Sequence, residues 1–67
     1  MLIKKSITIK KHRTSISLEK EFWDALKIVA KEQNCSLETL VAMIDTRRKT
    51  SLASSIRVYI LKFYMKV

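Results

Sequence analysis

The chain has 67 residues, which sets a ceiling of one domain, and so short a chain buries only roughly 60% of the surface its unfolded form exposes. One cysteine, Cys35, and one histidine, His12, exclude an internal disulfide and leave no His/Cys cluster for a metal. Hydrophobic residues make up 48%, more than so small a chain readily hides alone, which points to extra core from a partner chain.

The formal charge is +8, from 14 basic and 6 acidic residues. Residues 1–20 carry Lys4, Lys5, Lys10, Lys11, Arg13 and Lys20 against Glu19 alone. The middle of the chain, residues 21–50, is balanced. Arg57, Lys62 and Lys66 near the end have no acidic neighbour in residues 51–67. A basic N-terminal arm on a neutral middle suits a polyanion, either nucleic acid or an anionic membrane. No stretch reaches the roughly 20 apolar residues of a membrane-spanning helix. The N-terminus lacks the apolar core of a secretory signal. With one cysteine, the expected location is the cytoplasm.

Glycine and proline are both absent, so other residues make the turns. Ser6-Ile7-Thr8-Ile9 alternates with Ile7 and Ile9 on one face, and Ser15-Ile16-Ser17-Leu18 alternates with Ile16 and Leu18 on one face. The apolar parity changes from odd to even between the two runs. One continuous strand would put the two pairs on opposite faces, so the polar run Lys10-Lys11-His12-Arg13 breaks or turns the chain. The expected strand is 12–18, with 1–11 a basic arm or an extra strand.

A first helix is expected over 19–33. Phe22, Leu26, Val29 and Ala30 form its apolar stripe, and Glu19 and Glu21 sit in the first turn. Asn34 can take the left-handed geometry that ends it. Ser36 caps a second helix over 36–48, with Leu37, Leu40, Val41 and Ile44 inward. Ser51 or Ser54 caps a third helix over 52–66. Its apolar residues, Ile56 to Met65, lie nearly all round, which implies burial on more than one side and again a second chain. The fold class is mostly α with a short N-terminal β-strand, in a single domain over 1–67.

Thr14-Ser15-Ile16-Ser17-Leu18-Glu19-Lys20-Glu21-Phe22-Trp23-Asp24-Ala25-Leu26, followed by Ala30, Asn34 and Ser36-Leu37-Glu38-Thr39-Leu40, resembles the ribbon-helix-helix family of bacterial repressors, the Arc/MetJ type. More narrowly, the chain is similar to a bacterial subgroup of small ribbon-helix-helix domain proteins. The residues that carry this are His12-Arg13-Thr14-Ser15, Leu18-Glu19 with Phe22-Trp23, Ile44-Asp45, and Leu52 with Ser54-Ser55 and Arg57. The likeness covers about residues 5–65. Lys11 departs from it, because the subgroup tends to have glycine there, and a tight turn would need a non-glycine residue in an unusual conformation.

The resemblance implies an intertwined homodimer with an additional C-terminal helix, whose strands pair antiparallel across a two-fold axis. That two-stranded ribbon enters the major groove of double-stranded DNA. With Ile16 and Leu18 in the core, parity turns Arg13, Ser15 and Ser17 outward as base contacts, although Ser17 could also serve as a cap. Lys4, Lys5, Lys10, Lys11 and His12 are expected at phosphates, joined by the N-terminus of the second helix at Ser36 and Leu37. The implied function is transcriptional regulation by sequence-specific binding.

Plainer roles stand beside these. Arg13 could be a solvated arginine, Ser15 and Ser17 polar residues on a wet sheet face, and Ser36 a cap alone. Trp23 belongs to packing rather than stacking, and Arg47-Arg48-Lys49 to a solvated helix end. No catalytic triad, glycine loop or metal site is present, so an enzyme and a cofactor are not expected. Competing functions are an antitoxin, or a membrane-surface or protein-interaction module with an unidentified protein partner. The chain ends close to an apolar helix rather than in a toxin-binding tail. That helix also lacks the separate polar face of an interfacial helix, so no membrane is expected.

Overall fold

The computed structural model describes residues 1–66 of the chain. Two strands, β1 (Leu2–Ile9) and β2 (His12–Glu19), precede three helices, α1 (Lys20–Glu32), α2 (Leu37–Arg47) and α3 (Leu52–Met65). This is a ribbon-helix-helix arrangement with an added C-terminal helix. The stretch expected as a basic arm or an extra strand is β1, and it pairs antiparallel with β2 of the same chain.

The change of apolar parity has a geometric cause. Lys10 and Lys11 alone connect the strands, with φ of 51° and 70°. Two successive positive φ values are the signature of the type I′ turn, whose twist matches that of the strands it joins. The register pairs odd positions of β1 with even positions of β2: Ile9 with His12, Ile7 with Thr14, Lys5 with Ile16 and Ile3 with Leu18. Ile7, Ile9, Ile16 and Leu18 therefore share one face, and all four are buried. Burying Ile7 and Ile9 contributes about 1.5–3 kcal/mol each.

The helices close over that face. Trp23, Leu26, Val29 and Ala30 of α1, Leu40, Val41 and Ile44 of α2, and Ile56 and Ile60 of α3 complete one core. Trp23 is a packing residue, 1% exposed, and its indole N–H donates to the Ile3 carbonyl at 2.8 Å. That bond satisfies the one polar atom of a large buried ring and ties α1 to β1.

The helix ends follow local chemistry. Glu19 caps α1 with no side-chain bond, so Ser17 has no capping role and remains on the strand. At the other end Asn34 has φ 56°, the Asn34 N–H donates to Lys31 O at 3.1 Å, and the Cys35 N–H donates to Ala30 O at 3.0 Å. This pair of bonds is a Schellman motif with asparagine in the position glycine usually fills. Ser36 Oγ accepts from the Thr39 N–H at the start of α2, and Ser51 Oγ accepts from the Ser54 N–H at the start of α3. Of the two candidate caps for α3, Ser51 does the capping.

The third helix is buried on one side only. Ile56 and Ile60 face the core, while Val58, Leu61, Tyr64 and Met65 remain exposed on this chain.

The turn carries a conformational cost. A non-glycine residue at positive φ is disfavoured by about 1–2 kcal/mol, and glycine at Lys11 would remove that cost while loosening the unfolded chain. Lys11→Gly is expected to raise the unfolding free energy by about 0.5–1 kcal/mol. Urea denaturation monitored by Trp23 fluorescence measures it, and a lower midpoint would contradict the turn geometry.

Candidate nucleic-acid interface

Because side chains alternate along a strand, the hairpin has a second face turned away from the helices. On β2 it carries Arg13, Ser15 and Ser17; Arg13 and Ser15 are exposed and Ser17 is half-buried. On β1 the same face carries Lys4, Ser6 and Thr8, all exposed. The register sets them opposite one another as Thr8 with Arg13, Ser6 with Ser15 and Lys4 with Ser17. The result is a polar ladder with cationic groups at both ends and hydroxyls between.

The residues expected at phosphates do not form one group. Lys4 belongs to the outer ladder. Lys5 lies on the opposite, core-side face, half-buried, with its Nζ 5.1 Å from the centre of the Trp23 ring. A cation over a tryptophan face is stabilised by the ring's quadrupole. Lys10 and Lys11 form the hairpin tip, and Lys10 Nζ donates to Thr46 Oγ1 at 2.8 Å, which leans the tip on the last turn of α2. His12 begins β2 beside that tip and is exposed. Ser36 and Leu37 lie at the other end of α2, roughly 13 Å along the helix axis from Thr46. Basic groups and the α2 N-terminus are thus held at separate points around the ribbon. The first backbone N–H groups of α2 have no intrahelical acceptor, and the positive end of its dipole lies there.

The base of the ribbon is anchored to α3. Arg57 Nε donates to Glu19 Oε1 at 3.0 Å, and the same guanidinium lies 5.8 Å from the centre of the Phe22 ring. Glu19 is the one acid of the hairpin, and its pKa is lowered by a backbone hydrogen bond first and by the Arg57 side chain second. Arg57 thereby offsets the charge that would most disfavour a polyanion at this end of the ribbon. A shallow depression beside the tip, lined by Ile9, His12, Thr14, Asp45, Arg48 and others, has no metal-ligand set. Among the described residues no group of three or more His, Cys, Asp or Glu could hold a metal. No helix is long and apolar enough to cross a membrane among those residues.

The odd-to-even switch around Lys10 and Lys11 is the sequence signal of a two-residue hairpin. Read that way, it would have found Lys4, Ser6 and Thr8 on the outer face. No sequence signal marks the contacts of Trp23 with Ile3 or of Arg57 with Glu19, which join residues 20 and 38 positions apart.

A two-stranded ribbon, two helices behind it and a polar outer face define a class of small DNA-binding domains. A family model described as "Ribbon-helix-helix domain" matches residues 2–64, and the chain belongs to that family. The fold of this family is a DNA-binding one. Comparison with curated proteins and with solved structures gave no match.

A carboxylate with a lowered pKa stabilises the folded state fully above its unfolded value, and the contribution disappears as pH falls through the folded value. Acidification is therefore expected to loosen the Glu19–Arg57 anchor. Arg57→Gln should make the acid limb of the stability curve shallower in part, since the backbone hydrogen bond at Glu19 and the Lys20-paired Asp24 still contribute, while leaving the curve near neutral pH similarly shaped. Urea titrations across an acidic pH series read this directly; an unchanged acid limb would remove the pair from the account.

Proposed function

We propose that the protein is a sequence-specific DNA-binding homodimer, a transcriptional regulator, which inserts an antiparallel β-ribbon into the major groove. The observation that carries this reading is the outer face of the hairpin. Arg13 and the hydroxyl side chains stand on the one sheet face the helices leave open. The major groove of B-DNA is about 12 Å wide and admits a two-stranded ribbon. Arg13 takes a guanine edge bidentately, worth about 1–3 kcal/mol of discrimination, and Ser15 and Ser17 make less selective contacts. Lys4, Lys10, Lys11 and His12 contact phosphates around the ribbon, and the α2 N-terminus at Ser36 and Leu37 receives another phosphate. Lys5, held over Trp23, contributes to packing first and to the local potential second.

The homodimer accounts for the open side of α3. Val58 and Leu61 are 44% and 57% exposed, and Met65 follows them along the same side of the helix. A patch of large apolar side chains on so small a protein marks an association surface. A second copy covers it without disturbing the ribbon. The same patch is the feature that favours the alternative, a module binding a different protein such as a toxin.

Binding across a salt series to random and then to selected duplexes tests the reading. The expected result is a dimer with steep salt dependence and a clear preference for selected sites. Arg13→Ala should relax preference at one base position, whereas Lys11→Ala should weaken all sequences alike and reduce the salt slope by about 1. Weak binding with no preference would move the function to a protein partner. Leu61→Lys is expected to give a folded monomer by sedimentation; a variant that stays dimeric would take α3 out of the interface.

A further inference from the structure

We infer that the basic run Arg47-Arg48-Lys49, with Lys62 of α3, is a track for the DNA backbone that continues from the ribbon, so that the α2–α3 turn holds phosphates flanking the bases that are read. This rests on the DNA-binding reading and extends its site to a second surface. It requires only that β2 enters the groove, whichever strand pairs with its free edge.

Two depressions of the surface meet at Arg48. One lies beside the start of β2 and is lined by Lys10, His12 and Thr14 together with Arg48. The other runs between α2 and α3 and is rimmed by Arg47, Arg48, Lys49 and Lys62, all four exposed, with the hydroxyls of Thr50 and Ser55 among them. Cationic groups far apart in sequence therefore form one band, from the hairpin tip across the turn to α3. The Lys10 bond to Thr46 closes the gap between tip and helix. No acidic side chain lines the second depression, and the first holds only Asp45. Arg48 Nε donates to Asp45 Oδ1 at 2.6 Å, so that acid is already engaged.

Arg48 is the fixed point of the band. Its Nη1 donates to the Thr50 carbonyl at 2.8 Å, and the side chain stays 44% exposed. The bonds to Asp45 and Thr50 use two of the five N–H donors of an arginine and hold its plane still. A guanidinium held in this way suits the paired oxygens of a phosphate. Hydroxyls and lysines are the other common donors to backbone oxygens, and both flank Arg48. Arg47 and Arg48 also offset the negative end of the α2 dipole, but that role ends within the last turn and leaves Lys49 and Lys62 unexplained. Val58, in the floor between α2 and α3, belongs to the patch assigned to a second copy, so the track follows the cationic rim and not the floor. Cations spread over β2, α2 and α3 suit a chain of phosphates rather than a single anion.

The test compares charge-matched variants. Arg47→Gln with Lys49→Gln removes two cations from the band. Lys27→Gln with Lys31→Gln removes two from the exposed side of α1, which lines neither depression. Both variants and wild type are titrated on one selected duplex across a salt series, with circular dichroism confirming the fold, and backbone protection is mapped by hydroxyl-radical footprinting. The expected result is a salt slope lower by about 2 for the band variant alone, so that its affinity falls roughly 12-fold less than that of wild type between about 50 and 200 mM salt. Lys49→Gln alone, outside every helix, should lower the slope by about 1. The band variant is also expected to lose backbone protection flanking the bases while the central protection remains. Equal slopes and equal footprints for the two charge-matched variants would overturn the track and leave the ribbon reading intact. Wild type that binds no duplex would instead remove the DNA-binding reading, and this inference with it.

Discussion

A connection of two residues, Lys10 and Lys11, puts Ile7 and Ile9 on the same sheet face as Ile16 and Leu18. Everything else in the molecule depends on that alignment. The four side chains form the floor on which Trp23, Leu26, Leu40 and Ile56 pack. A slip of one residue in β1 would turn Ile7 and Ile9 to solvent and bring Ser6 and Thr8 inward. The turn is held although both its residues adopt a backbone conformation unfavourable to lysine. Packing of the inner face outweighs that local cost, and the Lys10 bond to Thr46 steadies the tip.

The same alignment creates the outer face. Because the inner row is apolar and covered, the outer row is left polar and open, with Lys4 and Arg13 at its two ends. The single acid of the hairpin, Glu19, is engaged by Arg57 of α3. Charge is thus concentrated where the chain is exposed, and the neutral middle of the sequence forms α1 and α2 behind it. The cationic outer surface and the folded core are supplied by different parts of a very short chain.

Much of this was legible in the residues. Period-two alternation marked the strands, the stripe Leu26, Val29, Ala30 marked α1, and Ser36 and Asn34 marked the helix boundaries through their capping chemistry. Parity assigned Arg13, Ser15 and Ser17 to one face because alternation is a property of the strand itself. The pairing of β1 with β2 was less legible. Sequence parity showed that the chain must turn, but an arm and a strand look alike until the partner edge is known. Lys5 was grouped with the other N-terminal lysines by charge, yet its position between Ile3 and Ile7 sends it towards Trp23.

The sequence by itself determined the fold class, the helix stripes and their caps, the basic N-terminal region and the resemblance to ribbon-helix-helix proteins. These follow from short-range periodicity and from backbone preferences that act within a few residues. Only the tertiary structure decided that β1 fills the edge of β2, that the Trp23 indole meets the Ile3 carbonyl, and that Arg57 holds Glu19. It alone also showed that α3 buries Ile56 and Ile60 while Val58 and Leu61 stay open. Those outcomes depend on which of several compatible surfaces pack together in space, a choice made by the whole core at once and by no local stretch of chain.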